Sequence, residues 1–140
     1  GYYSSGKPYL KDGSRYISIS HTRGYVAVAL HFSRQVGIDI EQYGTRVRKV
    51  ASRFIRPDEE PAMMEGDEIY ALLLHWSAKE ALFKLMGVEE VDFIRHLRIF
   101  PFSLSEEGEF EACEYRTARQ ECYRVRYVTH PDFVLTWVIK

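Results

Sequence analysis

Long apolar runs are absent from this sequence of 140 residues. No stretch approaches the roughly 18 consecutive apolar residues that a membrane-spanning helix needs, and the first residues lack the charged and apolar regions of a signal peptide. An excess of either charge is also absent, because the net charge is −1 at pH 7, which gives no argument for nucleic acid or membrane binding. With 46% hydrophobic and 28% charged residues, the composition is that of one globular domain.

Cysteine is scarce, with only Cys113 and Cys122 in the chain. Their spacing matches no metal or redox motif, so the sequence predicts a reduced protein in the cytoplasm. A turn near residues 117–118 would place the two cysteines opposite each other in a hairpin. The simplest interpretation is two thiols without a role.

The predicted order of elements is strands, helices and strands again, which is typical of an α+β fold. Alternating patterns predict strands at 16–20, 25–32 and 36–41, joined by short turns into an antiparallel meander. Residues 1–14 are predicted to be irregular because glycine and proline interrupt them. We therefore expect a single domain over 15–140, built from an antiparallel sheet and two main helices.

Two segments have helical periodicity. Over 46–55, apolar residues recur every three or four positions, and Thr45 is the expected N-cap. A longer and more apolar helix is predicted over 68–86, capped by Asp67 and ended by Gly87. Further strands are predicted near 95–100, 109–116, 121–129 and 133–139.

Two acidic segments carry the strongest functional signal. Side chains two apart on a strand point to the same side, so Asp39 and Glu41 share one face and the apolar residues share the other. Residues four apart on a helix share a face, so Glu80 and Lys84 lie on one polar stripe of the apolar helix. If the strand and the helix meet, three carboxylates and one ammonium group converge.

Such a cluster suits a divalent metal and a phosphate. Carboxylates held together repel each other unless a cation lies among them. Oxygen ligands without cysteine favour Mg²⁺ or Mn²⁺ over Zn²⁺, and Lys84 is placed to contact a phosphate oxygen. A metal and a lysine neutralise charge in phosphate-ester chemistry, and a remaining carboxylate can act as general base. The alternative is an ordinary salt-bridge pattern on a solvated helix.

Five short motifs follow one another along residues 6–87. They are Gly6-Lys7-Pro8, Ile17-Ser18-Ile19-Ser20-His21, Gly37-Ile38-Asp39-Ile40-Glu41, Arg53-Phe54 and Trp76-Ser77-Ala78-Lys79-Glu80-Ala81-Leu82-Phe83-Lys84. In this order they resemble the 4′-phosphopantetheinyl transferases, in particular the surfactin-synthetase-activating branch. The rest of the chain resembles that family only as generic strands.

The resemblance implies an enzyme of the holo-acyl-carrier-protein synthase type. Such an enzyme uses Mg²⁺ and transfers the 4′-phosphopantetheine arm of coenzyme A to a serine of an acyl or peptidyl carrier protein. The resemblance implies that Asp39, Glu41 and Glu80 bind the metal and that Glu80 is also the base for the carrier serine. Lys84 would contact the pyrophosphate of coenzyme A and act with Glu80 in catalysis.

The same resemblance implies further contacts. Lys7, Ser20 and His21 would bind phosphates of coenzyme A, although a loop lysine is by default solvated and a histidine beside a turn often caps the backbone. The basic helix 46–56 has five positive charges and no acid, and it would lie near the carrier protein, whose surfaces are typically acidic. A solvated face is the alternative for this helix.

Two residues of the long helix are assigned lesser roles. His75 is expected to be a satisfied core residue rather than a ligand. Lys79 points away from the stripe that contains Glu80, which makes it a weaker candidate for the site.

The branch that the chain resembles is normally built from two similar halves, with coenzyme A in the cleft between them. This chain opens at the segment that closes the first half. It is therefore expected to be either a fragment or a subunit whose identical copies form the second wall of the cleft, and a symmetric dimer is the commonest closed form.

Two alternative functions remain: a non-catalytic domain that binds coenzyme A or a carrier protein, and a generic metal phosphohydrolase.

Overall fold

The computed structural model describes residue 1, residues 16–61 and residues 67–140. The elements are β1 (Tyr16–Thr22), β2 (Tyr25–His31), β3 (Val36–Gln42), α1 (Arg46–Val50), a 3₁₀ turn (Ala51–Arg53), α2 (Glu68–Met86), β4 (Leu97–Ile99), β5 (Glu107–Glu114), β6 (Cys122–Thr129) and β7 (Phe133–Ile139). Helices packed on antiparallel strands confirm the predicted α+β class.

The strands form two separate sheets. One is the hairpin β1–β2, and the other is a five-stranded antiparallel sheet of order β3-β7-β6-β5-β4. The predicted meander is therefore wrong in its third strand, because β3 pairs with β7. Serine hydroxyls of β1, rather than its backbone, form hydrogen bonds to the backbone of β3. Ser18 Oγ and Ser20 Oγ accept hydrogen bonds from the backbone amides of Ile38 and Ile40, each at 3.1 Å.

Helix α2 packs against β3 and β7 and supplies much of the core. Its bounds are those predicted, because local signals set both ends. The side chain of Asp67 accepts the amide of Ile69 at 2.8 Å, and Gly87 ends the helix in a left-handed conformation with φ 63°. Fully buried side chains of α2 include Leu74, Ala78, Ala81 and Leu82.

Helix α1 is shorter than the helix predicted over 46–55. It ends at Val50 and tightens into the 3₁₀ turn, and within the described residues the side chain of Thr45 makes no capping bond. Phe54, which follows the turn, is completely buried. The regularly spaced apolar residues therefore pack a short helix and the turn after it against the core, and do not form one helix over 46–55.

Cys113 and Cys122 lie opposite each other on β5 and β6, as the predicted hairpin requires. They form a disulfide bond, so the prediction of two reduced thiols is wrong. The strand register brings the two side chains together, whereas their spacing along the chain gave no sign of a bond.

The hairpin β1–β2 has an apolar outer face. Its exposed residues include Ile19, Val26, Val28 and Leu30, and the exposed Phe32 follows β2. Among the helices that the structure describes, none has both the length and the apolar character needed to cross a membrane.

Candidate active site

Strand β3 and helix α2 touch at the glycine of the first acidic segment. A Cβ atom at Gly37 would overlap the carbonyl oxygen of Ala81 and lie 3.0 Å from the amide nitrogen of Leu85. Only a residue without a side chain permits this approach. Because the two backbones are so close, the carboxylates that follow Gly37 on the strand lie within reach of α2.

Asp39 is buried, with 3% of its surface exposed. Helix α2 packs against the face of β3 that carries Asp39, which is the meeting of strand and helix that the predicted cluster needs. Lys84 Nζ lies 3.3 Å from Asp39 Oδ1 and also donates to the carbonyl of Ile38 at 3.0 Å. Ser20 Oγ donates to the same Oδ1 at 3.3 Å. Oδ2 is buried and has no hydrogen-bond partner among the described residues.

Glu41 lies further along β3 and is less buried than Asp39. Its Oε1 accepts a hydrogen bond from the indole nitrogen of Trp76 at 2.8 Å. Trp76 lies one helical turn before Glu80 on α2, so the indole holds Glu41 at the same side of the helix. Sequence reasoning included Trp76 in a motif but missed this contact.

The carboxylates influence one another's protonation. Burial raises the pKa of Asp39 well above its usual range, the charge of Glu41 raises it further, and Lys84 lowers it. Burial also raises the pKa of Glu80, which Lys84 lowers and Glu41 raises. The structure therefore brings Asp39, Glu41, Glu80 and Lys84 into one electrostatic cluster.

This cluster fits a hard divalent cation. It offers carboxylate oxygens, it includes a buried oxygen that has no partner in the described part of the chain, and its mutual repulsion would be relieved by positive charge. The oxygens of Asp39, Glu41 and Glu80 do not all lie within 4.8 Å of one another. Among the described residues, the group whose ligand atoms are that close is Glu111 with Cys113 and Cys122, whose sulfurs are joined in the disulfide. An open cluster of this kind agrees with Mg²⁺, which keeps water and substrate oxygens in its shell.

Besides Lys84, three residues are predicted to bind coenzyme A phosphates, and they differ in their placement. Lys7 lies outside the described residues. Ser20 is 6% exposed, and its hydroxyl contacts Asp39 and the amide of Ile40. His21 is exposed near the end of β1. His75 is a core residue, as predicted, since it is buried and its Nδ1 lies 2.8 Å from the carbonyl oxygen of Ala71.

A cavity of about 480 Å³ opens beside Glu41, between the end of β3, α1 and α2. Its lining includes Val47, Val50 and Trp76, and Arg46 and Arg53 contribute positive charge. Basic residues of α1 and the 3₁₀ turn thus line the same cavity as Glu41. Arg56 is engaged elsewhere: its Nε and Nη2 contact the carboxylate of Asp58 at 2.8 and 3.1 Å.

A comparison with known protein families identifies the superfamily of this chain. The profile of the 4′-phosphopantetheinyl transferase superfamily (ACPS) matches residues 35–138. The chain belongs to this superfamily. The match extends from β3 to β7, and so includes strands that the sequence motifs left generic. No curated protein matches the chain.

Membership in the 4′-phosphopantetheinyl transferase superfamily establishes several general points. The chain is a transferase domain of the kind that handles phosphopantetheine. The family uses coenzyme A as substrate, typically with a divalent metal, and its general partners are coenzyme A and carrier proteins. The acidic cluster at the β3–α2 contact lies inside the matched range.

Proposed function

We propose that this protein transfers 4′-phosphopantetheine from coenzyme A to a serine of an acyl or peptidyl carrier protein, in a reaction that depends on Mg²⁺. The enzyme would be of the holo-acyl-carrier-protein synthase type and of the surfactin-synthetase-activating branch. The observation that carries the proposal is the cluster of Asp39, Glu41, Glu80 and Lys84 inside a region that matches the superfamily.

The residues of the cluster have distinct proposed roles. Asp39, Glu41 and Glu80 would hold the metal, which when bound supplies positive charge to the pyrophosphate of coenzyme A. Glu80 would accept the proton of the carrier serine, and burial raises the pKa of its carboxyl group. The serine oxygen then bonds to the phosphorus of the pantetheine arm, and adenosine 3′,5′-bisphosphate leaves. Lys84 would contact the pyrophosphate as a point charge.

Coenzyme A phosphates would bind at Lys7, Ser20 and His21, together with Lys84. The contacts of Ser20 add a second role, because its hydroxyl already donates to Asp39. We propose that Ser20 holds the carboxylate of Asp39 in place and that His21, which is exposed, makes the more direct contact with a phosphate. A Ser20→Ala variant that loses metal affinity as well as affinity for coenzyme A supports this assignment.

The carrier protein would dock on the basic surface of α1 and the 3₁₀ turn. Arg46, Lys49 and Arg53 are exposed there, and the cavity that Arg46 and Arg53 line leads to Glu41. A carrier with acidic residues around its serine would thus be attracted to the mouth of the site. Arg46→Glu and Arg53→Glu should raise the KM for the carrier and leave the KM for coenzyme A unchanged.

A second copy of the chain would cover the apolar outer face of β1–β2. Single exposed apolar residues are common, but Ile19, Val26, Val28 and Leu30 alternate along one face of two paired strands. We propose a homo-oligomer, with a symmetric dimer as its simplest form. Sedimentation of the wild type as a dimer and of Val28→Glu as a monomer supports it; a monomeric wild type contradicts it.

The proposed location is the cytoplasm, as predicted from the sequence. Disulfides are rare in that compartment, so the bond between Cys113 and Cys122 is unusual for a cytoplasmic protein. Cell fractionation tests the location: the protein should be recovered with a soluble cytoplasmic marker, and its recovery in a secreted or organelle fraction contradicts this part of the proposal.

The proposed activity is tested by the intact mass of a purified carrier protein. After incubation with the enzyme, coenzyme A and Mg²⁺, the carrier should gain the mass of one phosphopantetheine group. A carrier whose acceptor serine is replaced by alanine should gain nothing, and EDTA should prevent the gain. Binding of coenzyme A without any gain would identify the alternative, a non-catalytic domain that retains the fold.

A further inference from the structure

A second charged pair lies in the core beside the active-site cluster. The side chains of Lys79 and Glu59 are both fully buried, with Nζ 2.8 Å from Glu59 Oε1. Nζ also donates to the carbonyls of Phe54 at 2.6 Å and Phe93 at 3.1 Å. All three N–H groups of the ammonium are thus used. Lys79 points away from the Glu80 stripe, as the sequence predicted, but it is not solvated.

Glu59 joins two further segments to this pair. Its Oε1 accepts the amide of Arg56 at 2.8 Å, and its Oε2 accepts the amide of Ile99 in β4 at 2.6 Å. The pair therefore connects α2, the segment after the 3₁₀ turn and the edge of the large sheet. Stability alone does not explain such a pair, because apolar residues of similar volume often stabilise a core equally well.

The carbonyls that Lys79 holds belong to two phenylalanines that contact Trp76. The ring centres of Phe54 and Phe93 lie 5.2 and 5.4 Å from that of Trp76. Trp76 is three residues before Lys79 on α2 and thus lies on the same side of the helix. Its indole N–H donates to Glu41 Oε1 at 2.8 Å. A continuous set of contacts therefore leads from the buried ion pair to Glu41.

We propose that Lys79 is a positioning residue for Glu41: by fixing the backbone of Phe54 and Phe93 it fixes the indole of Trp76, which orients the Glu41 carboxylate. This inference rests on the proposed function, in which Glu41 is a metal ligand. Groups that orient a ligand typically change metal affinity 10- to 100-fold when they are removed. Glu59 contributes to the same positioning, because its carboxylate pairs with the buried ammonium group of Lys79.

The test is the binding of Mn²⁺ alone, measured from the signal of the free ion by electron paramagnetic resonance. Lys79→Met should raise the dissociation constant of the folded protein about 10-fold or more. Trp76→Phe keeps a ring and removes the N–H, and it should raise the constant by a similar factor. Because both act through one hydrogen bond, the Lys79→Met/Trp76→Phe variant should bind no more weakly than Trp76→Phe.

Controls separate positioning from general loss of stability. Val125→Ala removes fully buried apolar volume in β6 and should leave Mn²⁺ affinity unchanged. If Lys79→Met does not fold, Glu59→Leu/Lys79→Met removes both charges, and it should show the same loss of affinity. The inference is overturned if the Lys79 variants bind Mn²⁺ as tightly as wild type. It is also overturned if the Lys79→Met/Trp76→Phe variant loses affinity by the product of the two single-variant factors. If wild type binds no Mn²⁺, the proposed metal site itself fails.

Discussion

The Cα atom of Gly37 lies against the backbone of Ala81, where strand β3 meets helix α2. A Cβ atom at this position would overlap the Ala81 carbonyl oxygen. The glycine sets the distance between the strand that carries Asp39 and Glu41 and the helix that carries Glu80. The first residue of the acidic motif is therefore a spacing requirement of the site.

Gly37→Ala should destabilise the protein by about 1–3 kcal/mol or more, because backbone atoms cannot move aside as a flexible side chain can. Gly44→Ala is the matched control, since a Cβ there would meet no described residue within 4 Å. Urea unfolding of the two variants measures the difference. Equal stability of both variants would mean that β3 and α2 are further apart than described.

The disulfide between Cys113 and Cys122 should contribute about 2–3 kcal/mol to the free energy of unfolding, because it closes a short loop in the unfolded chain. Urea unfolding of the oxidised protein with and without dithiothreitol measures this contribution. The Cys113→Ala/Cys122→Ala variant should be indifferent to the reductant. Alkylation of both cysteines in denatured, unreduced protein would contradict the bond.

Stability should fall as the pH drops below about 6.5, partly through His75. Burial lowers the pKa of His75 in the folded protein, so the unfolded chain binds a proton first. As the pH falls from the ordinary pKa to the lowered one, the free energy of unfolding therefore decreases, by up to about 1.4 kcal/mol per pH unit. His75→Leu should remove this part of the slope; an unchanged slope would show that His75 is not the group responsible.

Much of the fold could be predicted where local signals set the structure. Asp67 and Gly87 gave both ends of α2, because a side-chain cap and a left-handed glycine act within one helical turn. The partner of β3 could not be predicted in this way. Its pairing with β7 spans most of the chain, whereas the predicted meander assumed that neighbouring strands pair. Ser18 and Ser20, whose hydroxyls bond the backbone of β3, were visible in the sequence but were not interpreted as contacts between β1 and β3.

In the candidate site, too, local patterns could be predicted and contacts between distant residues could not. Periodicities of two and four residues indicated that Asp39, Glu41, Glu80 and Lys84 share one region, while their roles stay predictions. The contact between Trp76 and Glu41 joins residues 35 positions apart, and the partner of Lys79 lies 20 positions before it. No local pattern marks Glu59 as buried, because that depends on how the core closes around it.

The central claim is that the acidic cluster serves phosphopantetheine transfer, and Glu80→Gln tests it most directly. The variant keeps the size of the side chain and removes the charge that would bind the metal and accept the serine proton. Glu89→Gln, at an exposed position beyond α2, is the control. With coenzyme A, Mg²⁺ and a carrier protein, the account predicts the full gain in carrier mass with Glu89→Gln and none with Glu80→Gln. Transfer by Glu80→Gln at the wild-type rate would contradict it.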